Sequence, residues 1–192
     1  IEKLPIDKRK TIVINIVKEK KIVDEKGVKI YYPIENLRNG VGHVTSPFGW
    51  RELNIGGKKQ KNYHNGVDFS NGFGYVIAAE TMLVEKILDF DTKYPCRFTW
   101  DKKKNTWIDS VPAGRAWSSY IVGASIRKPE LKFNYVHINP IYKNTQKIKI
   151  GDIIKGGEIC GQTGLYGYVL GPHLHFGVYD KGTLLDPSEW YN

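Results

Sequence analysis

Short segments in which hydrophobic and polar positions alternate recur along this chain, and they predict β-strands. The clearest is LKFNYV, where Leu131, Phe133 and Tyr135 point to one face of the strand and the residues between them point to the opposite face. No segment keeps a helical period of 3.6 residues, so few helices are expected, all of them short. The predicted fold is therefore mainly β, with strands at 11–17, 28–32, 75–79, 82–88, 118–126, 131–137, 158–161 and 173–179.

The pattern divides the chain into an N-terminal β appendage over 1–39 and a main domain over 40–192. An excursion at about 89–117 interrupts the main domain and carries Trp100, Trp107 and Trp117 among charged residues. Two interpretations stay open for it. It lies beside a binding groove, since long loops of compact domains are often functional, or it is a surface hairpin whose tryptophans pack locally.

Composition excludes several classes of protein. With 192 residues, 41% of them hydrophobic, the chain can bury a real core. Its apolar runs are too short to span a bilayer, so no transmembrane segment is predicted. Two cysteines, Cys96 and Cys160, do not make a disulfide scaffold; they either pair or are buried thiols. The formal charge of +9 indicates an acidic partner or simply a lysine-rich surface.

Two of the five histidines lie in one predicted strand, GPHLHFGVY. Because side chains alternate along a strand, Leu174, Phe176 and Val178 share an apolar face, and His173 and His175 share the opposite face. The two imidazoles are then about 7 Å apart and can address one small site. Alternatively, they are a pair of exposed strand histidines.

A histidine and a carboxylate also occur close together in YHNGVDFS. His64 and Asp68 are four residues apart, and Gly66 between them lets the chain turn. Both side chains are ordinary zinc ligands, although such a pair can also form only a local hydrogen bond. His137 ends the strand of residues 131–137, where it is either a satisfied core or edge residue or a catalytic group.

Together these residues indicate a catalytic zinc site. His64, Asp68 and one histidine of the H-x-H pair supply three ligands and leave a fourth tetrahedral position for water. The remaining histidines are then candidates for acid–base work next to that water.

Seven segments of the chain, in this order, resemble the lysostaphin/LytM-type zinc endopeptidases, which cut peptide cross-links in bacterial peptidoglycan. They cover most of residues 40–190 and are TSPFGWR (45–51), HNGVDF (64–69), YVIAAE (75–80), YVHI (135–138), IKIGDIIKGGEICGQTG (148–164), GPHLHFGV (171–178) and DP (186–187).

The resemblance implies a β-rich core with a long open groove over an antiparallel sheet. It implies that His64, Asp68 and His175 ligate Zn²⁺, and that His137 and His173 flank the water and the scissile carbonyl. The chain departs from the family at Gly177, where glutamate is common, and in the loop before GPHLHF. No predicted ligand is lost, so these departures concern substrate preference.

The functional hypothesis is a zinc metallo-endopeptidase that hydrolyses peptide bonds of peptidoglycan stem peptides or cross-links. We expect an extracytoplasmic monomer, in the periplasm, in the cell envelope or secreted, with no nucleic-acid partner. The alternative is a non-catalytic LytM-like module that binds the cell wall or activates an amidase. The sequence leaves open which bond is cut and which of His137 and His173 is the general base.

Overall fold

The computed structural model describes residues 31–34, 43–55, 58–70, 72–88, 98–103, 106–109, 118–141, 146–167, 169 and 171–190. Among them the secondary structure is β apart from one 3₁₀-helix, Pro187–Trp190. The strands in chain order are β1 His43–Ser46, β2 Gly49–Ile55, β3 Lys58–His64, β4 Val67–Ser70, β5 Tyr75–Ile77, β6 Met82–Leu88, β7 Phe98–Asp101, β8 Thr106–Asp109, β9 Tyr120–Ser125, β10 Leu131–Val136, β11 Ile138–Asn139, β12 Ile153–Ile154, β13 Ile159–Thr163, β14 Leu174–Asp180 and β15 Thr183–Leu185.

One large antiparallel sheet organises the described part of the chain. Its strands follow the order β1-β4-β14-β10-β9-β6-β12, and β15 pairs with the far end of β14. A three-stranded sheet, β11-β13-β5, and two hairpins, β2–β3 and β7–β8, complete the described strands. The prediction of a mainly antiparallel β fold is confirmed.

The core lies on one face of the large sheet, and the alternation in β10 produces it. Leu131, Phe133 and Tyr135 are buried, whereas the residues between them are partly exposed. Phe176 of β14 stacks on Phe133 with ring centroids 6.3 Å apart, and the ring of Tyr135 lies 5.0 Å from it. Each such buried side chain contributes about 1.5–3 kcal/mol from removal of its apolar surface from water.

The predicted strands differ from the observed ones mainly at their ends. The segment 82–88 is a strand as predicted, but the strand predicted at 75–79 ends at Ile77. Beyond it, the NH of Ala78 donates to the Glu158 carbonyl in the loop before β13, at 2.8 Å. Residues 11–17 and 28–30 lie outside the described residues, and Tyr31 and Tyr32 are not in a strand.

The sequence pattern did not predict the β2–β3 hairpin. The segment KKQKNYH of β3 has no apolar alternation, and its described residues before His64 are exposed. Seven cross-strand pairs, from Gly49↔His64 to Ile55↔Lys58, join the two strands of the hairpin.

Two segments bear on the predicted domain organisation. Ile34, from the predicted appendage, is 3% exposed and bridges to Val76, so this part of 1–39 packs on the core. The excursion contains the β7–β8 hairpin, in which Trp100 lies opposite Trp107. The boundaries at 39 and 40, and a place for the excursion beside a groove, stay predictions.

Two further findings concern the cysteines and the helices of the described residues. Cys160 is a buried free thiol in β13, and Cys96 lies outside the described residues. In the part of the chain that the structure describes, no helix has the length and apolar character needed to cross a bilayer.

Candidate metal centre

The register of the large sheet brings distant residues into one site. His175 of β14 lies directly opposite Asp68 of β4 on one side and opposite Val136 of β10 on the other. Directly opposed residues project to the same face of a sheet, so His175 and Asp68 point together. His64, at the end of β3, reaches the same place from the neighbouring hairpin.

The structure brings three predicted ligand atoms to nearly equal distances from one another. Nε2 of His64 is 3.1 Å from Oδ1 of Asp68 and 3.0 Å from Nδ1 of His175, and the last two atoms are 2.9 Å apart. Atoms about 2.0–2.1 Å from a tetrahedral zinc ion lie about 3.3 Å from one another. The donor set therefore fits a zinc ion in both chemistry and spacing.

The hydrogen-bonding capacity of these atoms also favours a cation. Nδ1 of His64 donates to the Pro47 carbonyl at 2.7 Å, so Nε2 of the neutral ring carries a lone pair. Nδ1 of His175 can supply one hydrogen, and the Asp68 carboxylate supplies none. Two neutral rings thus leave the close contact between His64 and Asp68 without a hydrogen. A metal ion bound between them would satisfy all three lone pairs at once.

The electrostatics keep Asp68 ready to act as a ligand. Burial by itself would raise the pKa of Asp68, but the close contacts of its carboxylate with His175 and His64 hold that pKa well below its usual range. Arg51 adds an ion pair, with Nη1 3.3 Å from Oδ2 of Asp68. The carboxylate is therefore ionised, as coordination requires.

The two predicted catalytic histidines lie beside this ligand set. Nδ1 of His137 donates to the Tyr166 carbonyl at 2.7 Å, and Nδ1 of His173 donates to the Gly171 carbonyl at 2.9 Å. Their ring centroids are 4.8 Å apart, and Nε2 of His173 is 3.9 Å from Oδ1 of Asp68. Each ring therefore keeps Nε2 as its nitrogen with an available lone pair.

His137 differs from an ordinary surface histidine in its pKa and in its backbone conformation. Burial, and next to it repulsion from His173 when that ring is protonated, lower the pKa of His137 to about 4, so His137 is neutral at neutral pH. Its backbone has φ 65°, in the left-handed region that non-glycine residues rarely adopt. The backbone NH of His137 donates to the Ser119 carbonyl at 2.8 Å and helps to hold that conformation.

Gly66 lies in the bend between β3 and β4, as expected, and it also lies close to His175. A Cβ at this position would lie 2.6 Å from the Phe176 carbonyl oxygen and 2.8 Å from ring atoms of His175. Close approach to the His175 ring, and not a turn with positive φ, therefore requires glycine here.

Arg51 is a site residue that sequence reasoning left without a role, although it ends the TSPFGWR segment. The fifth histidine, His43, begins β1 as an exposed residue.

No family model matches this chain, and no curated protein does. Its fold is similar to that of several solved structures. A zinc-containing peptidase from Vibrio cholerae superposes with a TM-score of 0.54 and 22% identity over 83% of this chain. The catalytic domain of the antimicrobial peptidase lysostaphin from Staphylococcus simulans superposes with a TM-score of 0.51 and 23% identity, over 78% of this chain and 91% of that domain.

A third structure of this fold is the SpoIIQ–SpoIIIAH pore-forming complex, with a TM-score of 0.56 and 15% identity over 85% of this chain and 91% of the matched chain. The chain spans 39% of the length of the Vibrio peptidase. Together these similarities show that the described residues have the fold of lysostaphin-like domains.

Proposed function

We propose that this protein is a zinc-dependent endopeptidase that hydrolyses peptide bonds of bacterial peptidoglycan. The observation that carries the proposal is the convergence of His64, Asp68 and His175, whose three ligand atoms lie 2.9–3.1 Å apart with too few hydrogens to satisfy one another. Three ligands leave one tetrahedral position open, as in catalytic zinc sites.

In this proposal His64, Asp68 and His175 hold the metal, and His137 and His173 move protons. A zinc ion held there would supply a Lewis acid that polarises the scissile carbonyl and lowers the pKa of water, so that the water could lose a proton and become a nucleophile near neutral pH. Nε2 of His137 or His173 accepts a proton from that water. The protonated ring then donates a hydrogen bond to the developing oxyanion or a proton to the leaving amine.

The substrate assignment is supported by the fold and by the charge. Lysostaphin and the Vibrio protein are described as peptidases, and a formal charge of +9 suits an anionic cell wall. We propose that it acts outside the cytoplasm, in the periplasm, in the cell envelope or secreted, and that it acts as a monomer.

Digestion of purified peptidoglycan tests the proposal directly. Peptidoglycans of several cross-link types are incubated with the protein, with and without a zinc chelator, and the released muropeptides are identified by mass spectrometry. We expect cleavage that the chelator abolishes and zinc restores, and the product masses identify the bond. Absence of cleavage in every peptidoglycan, with zinc bound, contradicts the endopeptidase proposal.

Variants separate the metal ligands from the proton-transfer residues. His64→Ala and Asp68→Ala should lose zinc on dialysis. His137→Ala and His173→Ala should keep zinc, and turnover should fall by about 10²–10³-fold, as for loss of one oxyanion donor. The matched control is His43→Ala, because this histidine is exposed at the start of β1; it should leave both zinc content and turnover unchanged.

A second candidate function is a non-catalytic module that binds the cell wall or a partner protein. The similarity to a chain of the SpoIIQ–SpoIIIAH pore-forming complex favours it, because this fold also occurs in a protein assembly. Such a module needs no zinc for binding. Chelator-insensitive sedimentation with peptidoglycan, without released muropeptides, would support this candidate.

A further inference from the structure

Arg51 of β2 contacts three neighbouring elements at the edge of the metal centre. Its Nη1 donates to Oδ2 of Asp68 at 3.3 Å and to Oγ of Ser46, and its Nε donates to Oδ1 of Asn62 at 3.0 Å. Asn62 lies directly opposite Arg51 in the β2–β3 hairpin, and Ser46 lies directly opposite Asp68 between β1 and β4. The Arg51 side chain is 21% exposed, so water screens the contact only in part.

The two oxygens of the Asp68 carboxylate consequently have separate partners. Oδ1 lies 3.1 Å from Nε2 of His64 and 2.9 Å from Nδ1 of His175, whereas Oδ2 lies against Arg51. A carboxylate without such a partner can coordinate a metal through one or both oxygens. Occupying Oδ2 restricts Asp68 to Oδ1 and keeps the fourth position of the site open.

We propose that Arg51 is a positioning residue that holds Asp68 as a one-oxygen zinc ligand. The inference rests on the proposed function, because it presumes that the site binds zinc. Groups that orient metal ligands commonly change metal affinity by about 10–100-fold when they are replaced.

The chemistry of the arginine side chain explains why a lysine cannot replace it. The guanidinium is planar and permanently charged, and its fixed donors reach Asp68 and Asn62 at the same time. A lysine keeps the charge but has one compact ammonium group, so it cannot make both contacts in the same geometry. The positive charge of Arg51 repels a zinc ion and by itself raises the zinc Kd. The orientation that Arg51 gives to Asp68 has the opposite effect and lowers the Kd.

Zinc affinity and cobalt spectra of the full chain test the proposal. The zinc Kd is measured by competition with a chelating dye for the wild type, Arg51→Lys and Arg51→Ala. We expect both variants to raise the Kd by about 10–100-fold. Co²⁺ replaces zinc for absorption spectroscopy, and the d–d bands of both variants should lose intensity as the site gains a ligand oxygen.

Arg127→Lys is the matched control, because Arg127 also pairs with a buried carboxylate, with its Nε 2.7 Å from Oε1 of Glu80, but contacts none of the ligands. It should leave the Kd and the cobalt spectrum unchanged. Circular dichroism checks that each variant is folded. If Arg51→Ala does not fold, the comparison of Arg51→Lys with the wild type tests the proposal.

The outcomes separate this inference from the proposed function. Zinc binding and cleavage by the wild type, with wild-type Kd and spectra in folded Arg51→Lys, overturn the role of Arg51 alone. A wild-type protein that binds no zinc overturns both.

Discussion

A methyl group added at Gly66 should disrupt the metal centre without altering any ligand. The Cβ of Gly66→Ala would lie 2.6 Å from the carbonyl oxygen of Phe176 and 2.8 Å from two ring atoms of His175. Ordinary van der Waals contact begins near 3.4 Å, so these atoms must separate by roughly 0.6–0.8 Å. The Phe176 backbone cannot yield easily, because β14 is paired there with Val67 on one side and Tyr135 on the other.

Therefore either the His175 ring or the bend between His64 and Asp68 must move to make room for the methyl group. Metal sites tolerate about 0.2 Å of error in ligand distance, which is several times less than the required shift. We expect the zinc Kd to rise by at least about 10-fold, which corresponds to 1.4 kcal/mol. Overpacking of this kind also lowers the free energy of unfolding of the metal-free protein by about 1–3 kcal/mol.

Two measurements check this prediction. Competition with a chelating dye gives the zinc Kd, and urea unfolding in the presence of chelator gives the free energy of unfolding. Gly171→Ala is the matched control, since a Cβ there would meet no atom within 4 Å, and it should change neither quantity. Wild-type zinc affinity and wild-type stability in Gly66→Ala would show that a methyl group fits at this position without displacing its neighbours, contrary to the prediction.

Three further predictions follow from the core and the site. Phe133→Ala should lower the free energy of unfolding by about 3–5 kcal/mol, whereas Phe73→Ala, at a side chain that is 63% exposed, should change it little by urea denaturation. Burial raises the pKa of the Cys160 thiol, so in a Cys96→Ser variant the native protein should not react with a thiol reagent until it is unfolded. Zinc at about a hundred times its Kd should stabilise the wild type by about 2.7 kcal/mol in thermal unfolding, and the stabilisation should be absent in His64→Ala.

The sequence predicted those parts of the fold that depend on local pattern. Alternation identified β10 and β14, because their apolar residues face a core. It also placed His173 and His175 on the face opposite Leu174 and Phe176, and the two histidines are indeed partly exposed while the apolar pair is buried. A strand buried on one face shows this pattern whatever its neighbours are.

The β2–β3 hairpin could not be predicted in this way, because β3 has no apolar alternation and its residues 59–63 are exposed. Its stabilisation comes from backbone pairing of β2 with β3, which side-chain hydrophobicity does not report. Arg51 and Asn62, which contact each other across this hairpin, were therefore assigned no role from the pattern. The resemblance in TSPFGWR marked the segment but not the contact of Arg51 with Asp68.

The geometry of the candidate site depends on a pairing that local pattern does not contain. Asp68 and His175 are 107 residues apart, and they meet because β14 pairs with β4 in one particular register. A shift of that register by one residue would turn His175 toward the core and Phe176 toward the site. Burial of Phe176 against Phe133 and Tyr135 opposes such a shift. The apolar face of β14 thus fixes the position of the histidines on its other face, so the core and the candidate metal centre are determined by the same strand pairing.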